Sequence, residues 1–279
     1  MRFSTVLLLS LLIPAYASAE HPKSFSSAKR ILKDIYTDNP TSFYCGCDYT
    51  AQGKKLVPQF ENCGFQPRKN AKRAKRIEWE HVMPAWAFGH QLQCWQEGGR
   101  KACKKNPNFK RMESDLHNLV PAIGEVNGDR SNFSFAQMEG EPRVYGSCDM
   151  EVNFKARKVE PAPHVRGDIA RTYFYMRDQY GVRISRKQEQ LFNAWAKLDP
   201  VSSWELERNR VIEKIQGNAN PYVFIETAVT ETAVTETVAT NATVIETADP
   251  TSSKLVVAES QSTTASGLIG KIKSVLKLD

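Results

Sequence analysis

No apolar run in this 279-residue chain is long enough to span a bilayer. The longest, Val6 to Ile13, falls well short of the ~20 residues a transmembrane helix needs, so no membrane-spanning helix is expected. Acidic residues are in deficit: 31 Asp and Glu face 38 Lys and Arg, a net charge of +7. A basic body points to a polyanionic partner, nucleic acid or an anionic membrane, without choosing between them. Zinc-knuckle spacing is missing too. Cys45 and Cys47 are separated by a single glycine, where a structural zinc site uses a gap of about two to four residues.

What is present begins with an export signal. Arg2, the apolar run and the small residues Ala17-Ser18-Ala19 form a secretory leader over residues 1–19, so the mature chain is expected in the periplasm or outside the cell. Cys45, Cys47, Cys63, Cys94, Cys103 and Cys148 are even in number, which in an oxidising compartment favours three disulfides over metal ligation. Their pairing stays open; Cys94 with Cys103, bracketing a Gly-Gly turn, is the local candidate. Charge is uneven. Residues 223–279 carry four Lys against seven Asp or Glu, leaving +10 on the preceding residues.

Residues 24–36 have helical periodicity, with Ser24 or Ser26 as cap and Ile31, Leu32 and Ile35 on the apolar face. The Cys-, Gly- and Pro-rich segment 44–67 reads as a disulfide-pinned hairpin or loops. Leu116–Val120 is a strand candidate closed by Pro121, and Gly124–Met138 has helical spacing weakened by Gly128. Helices are expected over Ile169–Tyr180, Arg186–Leu198 and Ser202–Gln216, the last with a capping-box pattern and Gly217 as its stop. The organisation is thus a leader (1–19), a folded body (20–222), a Thr/Glu-rich low-complexity linker (223–266) and a short amphipathic helix (267–279). That helix suits an anionic membrane, a protein partner or a fraying chain end.

The chemistry concentrates in Arg76-Ile77-Glu78-Trp79-Glu80-His81-Val82, in Asp115-Leu116-His117-Asn118, and in Gly124-Glu125-Val126-Asn127-Gly128-Asp129-Arg130. Six cations in residues 68–76 run into the first stretch, and Arg100, Lys101, Lys104, Lys105, Lys110 and Arg111 lie between the first and second. Among these charges, Trp79, Trp86 and Trp95 are expected in the core, because backbone-directed cutters do not need stacked bases. Phosphodiester hydrolysis needs a nucleophilic water, neutralised phosphorus and help for the departing oxygen. An imidazole suits the first, and a hard divalent ion on one carboxylate and one amide suits the others. Glu80, His81 and Asn127 supply that set, and Arg100 can hold the phosphate. Glu80 and His81 are adjacent, so the strand carrying them must end or bulge for both to reach one phosphate.

The stretches Glu78-Trp79-Glu80-His81-Val82, Cys94-Trp95-Gln96-Glu97-Gly98-Gly99-Arg100, Met112-Glu113-Ser114-Asp115-Leu116-His117-Asn118-Leu119 and Gly124–Arg130 resemble bacterial endonuclease I, a periplasmic or secreted DNase family. Arg171–Asp178 and Gln190–Trp195 fit as well, and the resemblance covers roughly residues 22–223. It implies an α+β fold around a ββα-metal (His-Me finger) core, disulfide-stapled, with helices in the C-terminal half. It implies His81 as general base, Glu80 and Asn127 as Mg²⁺ ligands (Mn²⁺ substituting), and Arg100 as phosphate stabiliser. Arg76, Lys101 and Arg130 are the candidate substrate-binding cations. The implied partner is DNA, with some RNA, cut by a monomer with little base preference to leave 5′-phosphates. The family's further cysteine pair, near Leu206 and just past Val223, is lacking here. Two other readings are an exported nucleic-acid-binding or uptake protein without turnover, and a membrane-active protein acting through 267–279. The intact Glu80, His81 and Asn127 argue against a mere binder.

Overall fold

The computed structural model describes residues 19–140 and 142–224; expectations for the leader and for residues beyond 224 lie outside the described residues. Helix α1 (Phe25–Ile35) starts where Ser24 accepts from the Ser27 amide and Ser27 reciprocates, a capping box closed by two serines. Segment 44–67 folds as the hairpin of β1 (Tyr49–Gln52) and β2 (Lys55–Pro58). The disulfide Cys47–Cys63 pins the hairpin, Cys45–Cys148 ties it to the later part of the chain, and Cys94–Cys103 closes the local loop.

The short helix α2 (Ala71–Ala74), capped by Asn70, leads into β3 (Ile77–His81). Then come α3 (Ala85–Gly89), α4 (Gln93–Cys103) and α5 (Pro107–Glu113). Helix α4 is broken at Gly98–Gly99, where Gly99 has a φ of 61° that suits glycine. A 3-10 turn over Leu116–Asn118 precedes β4 (Leu119–Ile123), which pairs antiparallel with β3 and passes directly into α6 (Gly124–Arg130).

Three sequence expectations fail in this region. The strand starts at Leu119, not Leu116, because Asp115 accepts the His117 amide and curls the chain into the 3-10 turn. Pro121 does not close the strand but sits inside it, opposite Trp79. Its carbonyl accepts from Phe43, away from β3, so the missing proline N–H falls on the side β3 does not use. The expected helix to Met138 stops at Arg130, because Ser131 takes a φ of 52°.

Downstream, β5 (Ser134–Phe135), β6 (Met150–Asn153) and β7 (Lys158–Pro161) form a three-stranded sheet in the order β5-β7-β6. Helices α7 (Arg166–Tyr180), α8 (Arg186–Leu198) and α9 (Ser203–Gln216) follow. Ser185 and Ser202 cap α8 and α9, and left-handed Gly181 and Gly217 end α7 and α9. Only half of the expected α9 capping box forms. The Glu205 carboxylate does not accept from the Ser202 amide in return, since it takes both arms of the Arg171 guanidinium at 2.6 Å.

The result is a mixed α/β body of small sheets, stapled by three disulfides, with α7–α9 in its C-terminal half. One core gathers β3, β4, α6 and α7; a second joins the apolar face of α1 to Leu116, Leu119 and Ile212 of α9. The β3–β4–α6 unit is therefore supported on two sides. Trp86 departs from its expected core position: it is 46 % exposed and stacks on His90 at 4.1 Å.

Candidate active site

Strand β3 ends at His81, and both Glu80 and His81 line one pocket of about 270 Å³ with Arg100 and Asn127. The strand reaches its end in the way two adjacent side chains require. Just past it the chain is clamped by Asn118, whose side-chain amide accepts from Met83 N at 2.7 Å and donates to Met83 O at 3.0 Å. Asn127 projects from the middle turn of α6.

His81 is buried, and its Nε2 lies 2.9 Å from the carbonyl of Glu113. A carbonyl only accepts, so Nε2 carries the proton and Nδ1 keeps its lone pair. Burial pulls the imidazole down to about 4; the Glu113 carbonyl opposes this, and the Arg100 and Arg130 charges reinforce it. The ring is neutral at physiological pH and is packed by Phe25 at 4.8 Å between centroids.

Glu80 is its buried neighbour. Burial raises its carboxyl to about 7, against the opposing charge of Arg130 and a 3.2 Å hydrogen bond from the Tyr44 hydroxyl. Among the described residues that hydroxyl is its one hydrogen-bond donor; Arg130 Nε stands 3.4 Å away without a hydrogen-bonding geometry. An ionised carboxylate held this deep with so few donors calls for further positive charge. Asn127 adds a neutral oxygen in the same pocket. No three acidic, histidine or cysteine side chains cluster as a metal cage among the described residues. Two hard oxygen donors fit an ion such as Mg²⁺ that keeps most of its waters.

The expected cations fall in different places. Arg100 reaches the pocket from just after the break in α4, and its Nε donates to Glu113 Oε1 at 2.8 Å. Glu113 thus holds His81 with its main chain and Arg100 with its side chain, a role the sequence did not single out. Arg130 is fully buried and donates to the carbonyls of Val82 (2.5 Å) and Ser131 (3.1 Å), so its guanidinium braces the end of β3 from below. Arg76 pairs with Glu78 but does not itself line the pocket, and Lys101 is exposed and does not line it either. In their place Arg73 lines the pocket, forked onto Glu78 at 2.7 and 3.1 Å.

Glycines make room for that fork. A Cβ on Gly128 would stand 2.0 Å from Arg73 Nη1, and one on Gly124 2.5 Å from the Arg73 carbonyl. The glycine that weakens α6 as an isolated helix is what lets α2 and its arginine close on it. His117 belongs elsewhere. Its Nε2 bonds the Asn218 carbonyl at 2.9 Å, and its ring packs on Tyr175.

Comparison with known proteins places this geometry. The chain is 55% identical over 218 residues to an extracellular deoxyribonuclease of Aeromonas hydrophila, covering 78% of this chain and 95% of that one. It is 53% identical to a periplasmic deoxyribonuclease of the same organism (77% and 91% covered) and 50% identical to Endonuclease-1 of Buchnera aphidicola (75% and 84%). The chain is therefore a nuclease of the exported kind, periplasmic or extracellular. Residues 12–226 match the family described as Endonuclease I, and the chain belongs to that family.

Proposed function

We propose that this protein is a divalent-metal-dependent endonuclease that hydrolyses DNA with little sequence preference and leaves 5′-phosphate ends. The observation that carries the reading is the His81 imidazole, pinned through Nε2 and left, among the described residues, without a hydrogen-bond partner on Nδ1, in the pocket that Glu80 and Asn127 share. We read β3, β4 and α6 as the ββα-metal core of a His-Me finger.

In this mechanism Nδ1 of neutral His81 takes a proton from water as its oxygen bonds to phosphorus. The bond from phosphorus to the 3′ oxygen breaks, and that oxygen leaves as a hydroxyl after taking a proton from solvent. Glu80 and Asn127 would hold a Mg²⁺ ion, with Mn²⁺ as substitute, to neutralise charge on the phosphate and departing oxygen. Arg100, set by Glu113, faces the phosphate's growing negative charge. Arg76 and Lys101 contact flanking phosphates. Arg130, buried at the floor of the same pocket beside Glu80, is assigned the role of its countercharge.

Such a site reads phosphates and no base edge, which accounts for low sequence preference and admits RNA as a lesser substrate. The test is nicking of supercoiled plasmid by purified protein, with an RNA arm. Chelator should stop cutting, added Mg²⁺ should restore it, and the ends should religate without a kinase. Cutting that persists in chelator would remove the metal from the mechanism.

A further inference from the structure

A second cavity, of about 430 Å³, lies at the opposite end of β3 from His81. Six cations from three places in the chain line it: Lys29, Arg30 and Lys33 of α1, Lys54 and Lys55 of the hairpin, and Arg76. Arg76 pairs with Glu78, but none of the other five has a carboxylate partner among the described residues. Lys33 Nζ donates to the Lys54 carbonyl at 3.3 Å, which joins helix and hairpin across the groove. Five unneutralised cations held together repel one another, and a polyanion relieves that repulsion.

The groove adjoins the catalytic pocket. Trp79 lines both. Lys29 Nζ sits 4.9 Å over the Phe25 ring, which packs on His81. Along β3, Ile77 in the groove and His81 in the pocket are four residues apart, roughly 13 Å of extended strand. Duplex DNA advances ~3.4 Å per base pair, so that span corresponds to about four base pairs.

We propose that this groove is a second phosphate-backbone site, which grips the substrate duplex about four base pairs from the linkage being cut. It rests on the nuclease reading above and adds a footprint to it. Neither flanking basic run in the sequence, residues 68–76 or 100–111, contains α1 or the hairpin. The groove exists only because the fold lays those two elements side by side.

The experiment compares full-length wild type with K33Q/K54Q/K55Q, and with K54E/K55E on the exposed hairpin alone. Binding is measured in chelator to a duplex of about 30 base pairs across a salt series. Each variant should bind this duplex about 10-fold more weakly, the triple variant losing about 2 to 3 from its salt slope. Unchanged affinity and slope, with both variants folded, would overturn the groove. So would unchanged DNA affinity with lost binding to phosphatidylglycerol vesicles, which would assign the surface to lipid. A wild type that neither binds nor cuts DNA removes both readings; one that cuts, while the variants bind as tightly, removes the groove alone.

Discussion

Replacing Glu113 with glutamine separates the two contacts this residue makes in the site. Its main-chain carbonyl would still hold His81 Nε2, while the charge that draws Arg100 Nε to 2.8 Å would be gone. The stability cost should be small. The Arg100 side chain is 46 % exposed, so solvent screening keeps the ion pair below about 1 kcal/mol. In a domain of this size that shifts Tm by no more than about 3 °C. Catalysis should suffer more, because an unanchored guanidinium meets the phosphate only part of the time. A kcat loss of about 10-fold, or ~1.4 kcal/mol, is expected, with KM nearly unchanged. Removing the guanidinium in Arg100→Ala should cost about 100- to 1,000-fold. The double variant should match Arg100→Ala alone, since Glu113 acts through Arg100. Single-turnover nicking over a pH series reads all of this, and the profile of Glu113→Gln should keep its wild-type shape. Wild-type kcat in Glu113→Gln, or a displaced pH profile, would refute the assignment of Glu113 as the positioning residue for Arg100.

Gly128→Ala puts a Cβ 2.0 Å from Arg73 Nη1, so it should displace the Arg73–Glu78 fork. The flexible guanidinium can swing away and alanine favours the helix by about 1 kcal/mol, so urea unfolding should change by less than about 1 kcal/mol; a loss of several would contradict this. Acid should destabilise the fold through His117, which burial lowers from 6.5 to about 4 against the opposing charge of Asp115. The unfolded chain binds that proton first. The contribution of about 3 kcal/mol is therefore complete above pH ~6.5, declines on acidification and is gone below ~4; a Tm flat between pH 7 and 4 would contradict it. The disulfides should differ in value by loop length. Removing Cys45–Cys148, with a separation of 103 residues, should cost about 5 kcal/mol, and removing Cys47–Cys63, with 16, about 3. Equal shifts for the two Cys→Ser pairs would contradict the chain-entropy account.

Features set by local chemistry were readable in the chain. The Ser202 cap and the Gly217 stop bound α9 because caps and left-handed stops act within a few residues. The Glu80-His81 pair announced its strand end because neighbouring side chains on a regular strand diverge. Features that depend on distant partners were hidden. Pro121 reads as a terminator until Phe43 shows which side of β4 its carbonyl serves. Gly128 reads as a weak helix former until Arg73 comes to lie against it. Arg130 reads as a substrate-binding cation, yet the end of β3 buries it among main-chain carbonyls. Glu113 carries no signal of its own, since half of its role belongs to a peptide carbonyl that any residue has. The groove of α1 and the hairpin was equally invisible, its lysines being scattered in sequence and gathered only in space.

The most direct measurement is His81→Ala assayed twice: for duplex binding in chelator, and for plasmid nicking in Mg²⁺. If Nδ1 of His81 activates the water, affinity should stay within about 2-fold of wild type while nicking falls by ~100- to 10,000-fold. Nicking at the wild-type rate by a folded His81→Ala protein would show that the proton is taken by another group.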